Sequence, residues 1–283
     1  MQEVAPGIYV EGDFEGGNVG MIVTGEGVVL IDTPMMPWEA RKWADMVRKT
    51  TSHPVRFVIN TDHHVEKSLG NQFFPVPVIG HESGWKEMTG YSEAYRQRLL
   101  DSLQVGEPER DAELKQVVFV SPTITLTDKL TLFVGDKTLH LMYIGGHSVS
   151  SILVYVPQDG VLLTGDVVVN GVLPVLAQAN SKMWLDALTR IRRMSFDVLV
   201  PGRGAPGGKE MTLPVSTFIR DVRSGVRRHC AAGRSKAETY NQMLDLLNAF
   251  PIRDGRRERI EQQFKVGINQ VYEEMKTEKG NKS

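Results

Sequence analysis

The chain's 283 residues are 41% hydrophobic and 24% charged, with a formal charge of -1; this length covers one large domain or two ordinary ones, and so small a charge exerts no long-range pull on nucleic acid or anionic lipid. A single cysteine, Cys230, excludes an internal disulfide and a cysteine-rich zinc site, so a metal would have to be held by His, Asp or Glu. No apolar run reaches the roughly 18 residues of a membrane span, and residues 1–6 are not a charged-then-apolar secretion signal, so the cytoplasm is the expected compartment unless a leader has been removed.

Residues 8–11, 18–24 and 28–32 read as short strands, the last two joined by the turn Gly25-Glu26-Gly27, and predict an antiparallel meander with one buried face. After the loop 33–37, Trp38, Ala40, Ala44 and Val47 recur at helical spacing and predict a helix to about residue 48, followed by a strand over 55–60. The apolar run 76–80 precedes a polar helical stretch over 82–103. Further strands are expected at 117–120, 124–126, 130–134, 138–144, 151–156 and 161–167, a second meander that closes with a helix at 181–192 and a strand at 198–200. Helices are expected at 215–228, 236–249 and 256–276, with a frayed tail over 277–283. Two halves, each a meander ending in a helix and a short strand, predict a pseudo-repeated α/β sandwich with helices outside. Residues 1–210 would form it, and residues 211–283 a helical extension packed on it.

One stretch concentrates the chemistry. The strand at 55–60 runs into Asn60-Thr61-Asp62-His63-His64-Val65-Glu66-Lys67, and Gly70 then releases the chain. Asp62, His63, His64 and Glu66 are groups that oxygen- and nitrogen-preferring metals accept, whereas the ammonium of Lys67 has no lone pair to offer.

Asp32 at the end of an early strand, this stretch, Gly146-His147, Thr164-Gly165-Asp166 and Pro201-Gly202-Arg203-Gly204 follow one another in order. With them the sequence resembles the metallo-β-lactamase superfamily over residues 5–205, whose corresponding motifs read His-x-His-x-Asp-His and Pro-Gly-His-Gly. The resemblance implies an αββα sandwich of two mixed β-sheets flanked by helices. Position by position, it places a first metal site at Asp62, His64 and His147, and a second at Glu66, Lys67, Asp166 and Arg203. At that second site two neutral imidazoles have become cations. A unit charge about 4 Å from another interacts by about 4 kcal/mol at an effective dielectric near 20, so two cations oppose a second ion strongly. Lys67 and Arg203 are therefore expected to fill the vacated place and to pair with Asp166 and Glu66. The resemblance then implies one divalent ion, zinc foremost with iron or manganese acceptable, held by Asp62, His64 and His147 with Asp166 as a candidate fourth ligand. The alternative is a decayed site with no ion, its residues kept as a polar cluster.

On this reading the chain is a hydrolase acting on a small organic substrate. Glu66 or Asp166 would take a proton from water, and Lys67 or Arg203 would stabilise developing negative charge. Glu66 as a salt-bridge partner of Lys67, and Lys67 as a base or nucleophile, are the competing roles. Asp32 is expected to orient a ligand without touching the ion, and His63 to be structural. The loop carrying Met35, Met36 and Trp38, together with Leu173 in the apolar run 170–177, is expected to form a substrate pocket suited to neither nucleic acid nor membrane. Two other functions fit the same residues: a catalytically reduced subunit paired with an active relative, and a metal-free hydrolase using Lys67, Glu66 and Asp166. The C-terminal helices would cap the pocket or form an interface in a homo- or hetero-oligomer.

Overall fold

The computed structural model describes residues 1–252 and 255–280. The chain opens with strands β1 (Gln2–Ala5), β2 (Ile8–Glu11), β3 (Val19–Thr24) and β4 (Gly27–Ile31), each antiparallel to the one before it. Helix α1 (Pro37–Thr50) starts with a proline in its first turn, where no amide hydrogen is needed, and buries Ala40, Trp43 and Val47. Strand β5 (Val55–Ile59) lies parallel to β4 and delivers the chain to the one-turn helix α2 (Val65–Ser68). Then come β6 (Val78–His81), the helices α3 (Glu82–Thr89), α4 (Glu93–Ser102) and α5 (Pro108–Leu114), and β7 (Ile124–Leu126). Strands β1 to β7 form the first sheet in sequence order.

The second sheet has the order β12-β11-β10-β9-β8, from β8 (Lys129–Val134), β9 (Lys137–Tyr143), β10 (Ile152–Val156), β11 (Val161–Leu163) and β12 (Val198–Val200), with helix α6 (Ser181–Arg193) crossing between the last two. Helices α7 (Thr212–Ala231), α8 (Lys236–Asn241) and α9 (Arg257–Gly280) follow. The sheets bury Ile22, Val29 and Ile59 against Leu141, Val154 and Leu163. Trp43 and Val47 seal the outer face of the first sheet, and Trp184, Leu188 and Ile191 the outer face of the second. This is the αββα sandwich of mixed sheets. One continuous core crosses residue 210: Leu153, Leu162 and Trp184 share it with Val215, Phe218, Phe264 and Ile268.

Several local expectations are corrected. Residues 2–5 pair as a strand although their sequence has no strand pattern. Residues 117–120 do not form a strand, because side chains take the bonds a ladder would use: Gln72 Oε1 accepts from Val118 N at 3.1 Å, and Asn71 Nδ2 donates to Val120 O at 3.0 Å. Residues 124–126 belong to the first sheet, parallel to β6, so the second meander starts only at Lys129. The stretch 82–103 is two helices, broken at Gly90 and restarted by Ser92, whose hydroxyl accepts from Tyr95 N. Helix α5 went unanticipated, and the expected helix at 236–249 ends at Asn241, with a 3-10 turn over Leu244–Ala249. Of the tail expected to fray over 277–283, residues 277–280 continue helix α9, and 281–283 lie outside the described residues. No described helix is long and apolar enough to cross a membrane.

Candidate metal centre

The proposed ligands come from the ends of strands, where backbone is free to turn. Beyond β5, a buried amide network fixes the loop. Asn60 Nδ2 donates to Lys67 O at 2.8 Å, Asn71 Nδ2 to Asn60 Oδ1 at 2.8 Å, and Thr33 Oγ1 to Asn71 Oδ1 at 3.0 Å. Asp32 carries φ 59°, a left-handed conformation that aspartate tolerates better than most residues. From there its two oxygens accept from Thr61 N and Thr61 Oγ1, both at 2.7 Å. Burial pushes the Asp32 carboxyl up to about 7, against the pull of Lys67 and the two hydrogen bonds from Thr61. Asp32 thus holds Thr61, the residue just before Asp62, through both of its oxygens. Asp32→Ala is expected to cost about 3 kcal/mol in urea unfolding, through two lost bonds and a strained backbone, and Asp32→Asn only about 1 kcal/mol. Equal losses in the two variants would contradict this role.

Asp62 Oδ1 accepts the backbone N–H of His64 at 2.9 Å, which leaves Oδ2 facing two imidazoles, His64 Nδ1 at 3.3 Å and His147 Nε2 at 3.6 Å. The three donor atoms lie within 4.8 Å of one another. A tetrahedral ion with ligand bonds of about 2.1 Å separates its donors by about 3.4 Å, so the spacing fits one ion of zinc size. His147 reaches this point from a loop made by Gly145 and Gly146, both at positive φ; a Cβ on Gly146 would lie 2.6 Å from the Cα of Trp184. Its ring is buried and T-shaped on Trp184, and its Nδ1 has no hydrogen-bond partner. Burial first, then the charge of His64, pushes His147 down to about 4, so its lone pair is available at neutral pH. Burial also opposes a charged His64, but Asp62 outweighs it and raises that imidazole to about 9. Burial in turn resists ionisation of Asp62, yet His64, His147 and His63 hold its carboxyl well below the usual range. An ion would displace the proton from His64 and take over its role toward Asp62.

Lys67 and Arg203 converge on Asp166. The Lys67 ammonium stands 3.0 Å from Asp166 Oδ1, at an angle that leaves this oxygen without a hydrogen bond, and donates instead to Gly202 O at 3.0 Å. Arg203 Nε donates to Asp166 Oδ2 at 3.0 Å. Burial raises the Asp166 carboxyl, but Arg203 and then Lys67 hold it far below the ordinary range. Two expectations change here. Asp166 stands among the cations and outside the group of three donors, so it is not a fourth ligand in this arrangement. Glu66 makes no ion pair among the described residues and lies on a cavity wall, part-exposed. One carboxylate, buried and reachable by both cations, does the pairing that two were expected to share.

His63 is buried, its Nδ1 2.7 Å from the Ser150 hydroxyl and its ring 4.7 Å from that of His64. A cavity of about 780 Å³ opens above the donors, lined by His64, Glu66, His147, Asp166 and Arg203 at its floor. Leu173 lines it as expected. Met35, Met36 and Trp38 do not: the methionines pack with Val65, Leu69 and Leu100 in a separate core, and Trp38 lies beneath Arg110, 4.9 Å from its ring centroid. Residues 12–15, Tyr91, Tyr95 and the C-terminal residues Leu247, Phe250, Ile252 and Ile260 take their place. The C-terminal segments thus reach the pocket, one of the two places expected for them, although the sequence singled out none of these four residues. Gln178, whose Oε1 lies 2.8 Å from His64 Nε2, was also missed, though it follows the apolar run directly.

The sequence matches the profile of the Metallo-beta-lactamase superfamily over residues 12–203, and the chain belongs to that superfamily. Among curated relatives, a linear primary-alkylsulfatase from Pseudomonas sp. (strain ATCC 19151) is 22% identical over 89% of this chain. The chain spans about half (54%) of that protein's length. A type 2 metallo-beta-lactamase from Elizabethkingia meningoseptica is 23% identical over 69% of this chain and 71% of its own. Among solved structures, a metallo-beta-lactamase family protein from Thermus thermophilus superposes with a TM-score of 0.70 at 20% identity, covering 98% of this chain and 95% of that one. A metallo-beta-lactamase from Pontibacter korlensis gives 0.60 at 22% identity, covering 77% and 97%.

Proposed function

We propose that this chain is a hydrolase of a small organic substrate that works with one divalent metal ion, zinc foremost, held by Asp62, His64 and His147. The observation that carries the reading is the set of three donors, mutually within 4.8 Å, two of which, His64 and His147, line a cavity of ligand size. When bound, the ion supplies Lewis acidity toward an electrophilic centre and makes a water more acidic. The chain's own residues supply the rest. Glu66 lines the cavity without an ion-pair partner among the described residues, which leaves its carboxylate able to accept a proton from a water in the cavity. Arg203 lines the same space, its terminal nitrogens make no hydrogen bond among the described residues, and it stabilises negative charge as it develops on the substrate. Lys67, its side chain 1% exposed, contacts no substrate; its fixed charge keeps Asp166 ionised and Arg203 in place. The names of the two curated relatives, a sulfatase and a beta-lactamase, agree with hydrolysis in general and do not choose a substrate.

The test is metal content together with activity on a panel of esters, lactams and sulfate esters. One ion per chain is expected, with turnover lost on chelation and regained when zinc, manganese or iron is returned. A protein that holds no ion, or hydrolyses equally well after exhaustive chelation, would sink the reading.

A further inference from the structure

The cavity has a division of character that its catalytic floor does not need. Three arginines line it: Arg203, Arg256 and Arg259. Arg256 and Arg259 are both turned to Glu15, at 2.7 and 3.6 Å, so their charge is spent at the rim. Arg203 is different. Only its Nε is engaged, on Asp166, and its two terminal nitrogens make no hydrogen bond among the described residues. At the floor the cluster of Asp166 with Lys67 and Arg203 carries an excess of one positive charge, while the cavity's other carboxylates, Asp13, Glu15, Glu39 and Glu66, lie along its lining.

Away from the floor the lining turns apolar, from two unconnected parts of the chain: Leu173 and Val175 after β11, and Leu247, Phe250, Ile252 and Ile260 from the C-terminal helical region. Val175, Phe250, Ile252 and Ile260 are part-exposed and line this space, the last three while also packing against the core beneath. A positive floor and an apolar wall in one cavity call for one ligand with both properties.

We infer that the substrate is an amphiphilic anion, an organic molecule whose anionic head meets Arg203 beside the metal position and whose apolar chain lies along the wall of Leu173, Val175, Phe250, Ile252 and Ile260. This rests on the reading of the cavity as the substrate site and adds to it the chemical class of the substrate.

The experiment uses unreactive probes on the full chain: straight-chain carboxylates from butanoate to decanoate, and the alcohols of matching length. Binding is followed by calorimetry on protein whose zinc content has been measured. Affinity is expected to rise about fourfold with each methylene, and the carboxylate of each pair to bind at least about tenfold more tightly than its alcohol. Ile252→Asn and Ile260→Asn should flatten the dependence on chain length. Arg203→Gln should erase the preference for carboxylate while keeping that dependence, and Arg203→Lys should restore most of the preference. Affinity that does not change with chain length, or alcohols that bind as tightly as carboxylates in the unaltered protein, would overturn the inference; this outcome needs no variant to fold. Zinc content reads the other hypothesis separately. A chain without zinc that still binds long carboxylates defeats the metal reading alone, and a zinc-loaded chain indifferent to chain length defeats this inference alone.

Discussion

Replacing Asp62 by alanine is expected to lower zinc from one ion per chain to below about a tenth, and hydrolysis with it by at least about 100-fold. Even residues that only orient a metal ligand typically cost 10- to 100-fold on substitution, and Asp62 is the hub of its site, in contact with both imidazoles. Its removal leaves two neutral-capable histidines and no carboxylate within the donor group to balance a dication. His147→Ala should do nearly as much, because His147 Nε2 stands 3.6 Å from Asp62 Oδ2 and burial keeps the imidazole neutral at pH 7. Elemental analysis after dialysis, with circular dichroism to show an unchanged fold, checks both. Asp62→Ala protein that keeps a full complement of zinc would place the ion elsewhere.

The second large effect is on stability. Asp166→Asn should lower the free energy of unfolding by about 3–5 kcal/mol, because it leaves the ammonium of Lys67 buried with only carbonyl partners at Gly202 and Gly16. Breaking one half of a buried pair costs more than deleting both halves. Combining Asp166→Asn with Lys67→Met should therefore recover most of the loss, since Met has the length of the lysine stem and no charge. Urea denaturation of the two single variants and the double variant measures the coupling. An Asp166→Asn protein within about 0.5 kcal/mol of the parent would mean that Lys67 is not charged in the native state.

The two sheets and most of their strands were legible because β2 to β5 and β8 to β12 have compact apolar runs bounded by glycine, proline and aspartate turns. The half-site at Asp62, His64 and His147 was legible because its residue types are unambiguous and the motif order fixes their positions. What escaped depends on partners distant in sequence. Residues 117–120 carry a strand's composition, yet Asn71 and Gln72 satisfy them with side chains, a choice no local pattern records. Met35, Met36 and Trp38 looked like a pocket from their place beside Asp32, but apolar side chains at a strand end serve a core equally well, and Leu69 and Leu100 claimed the methionines. The apolar wall from 247 to 260 belongs to helical segments whose composition fits any bundle; only their docking over Leu173 gives it a role. The choice of Asp166 over Glu66 as partner for both cations likewise turns on burial, which spacing along the chain does not encode.

The Lys67 ammonium touches Gly16 and Gly202 as well as Asp166, while Gly202 lies so close to Asp166 that a Cβ on it would sit 2.0 Å from the carboxylate oxygen. This bears on the routes by which such a chain can change. Lys67→His alone would abandon two carbonyls and leave Arg203 on Asp166; Arg203→His alone would leave an ammonium where an ion should sit. Each single exchange therefore leaves one cation on Asp166, and only the two exchanges together would clear that place for an ion. A protein engineer seeking a second ion here would have to move Lys67 and Arg203 together.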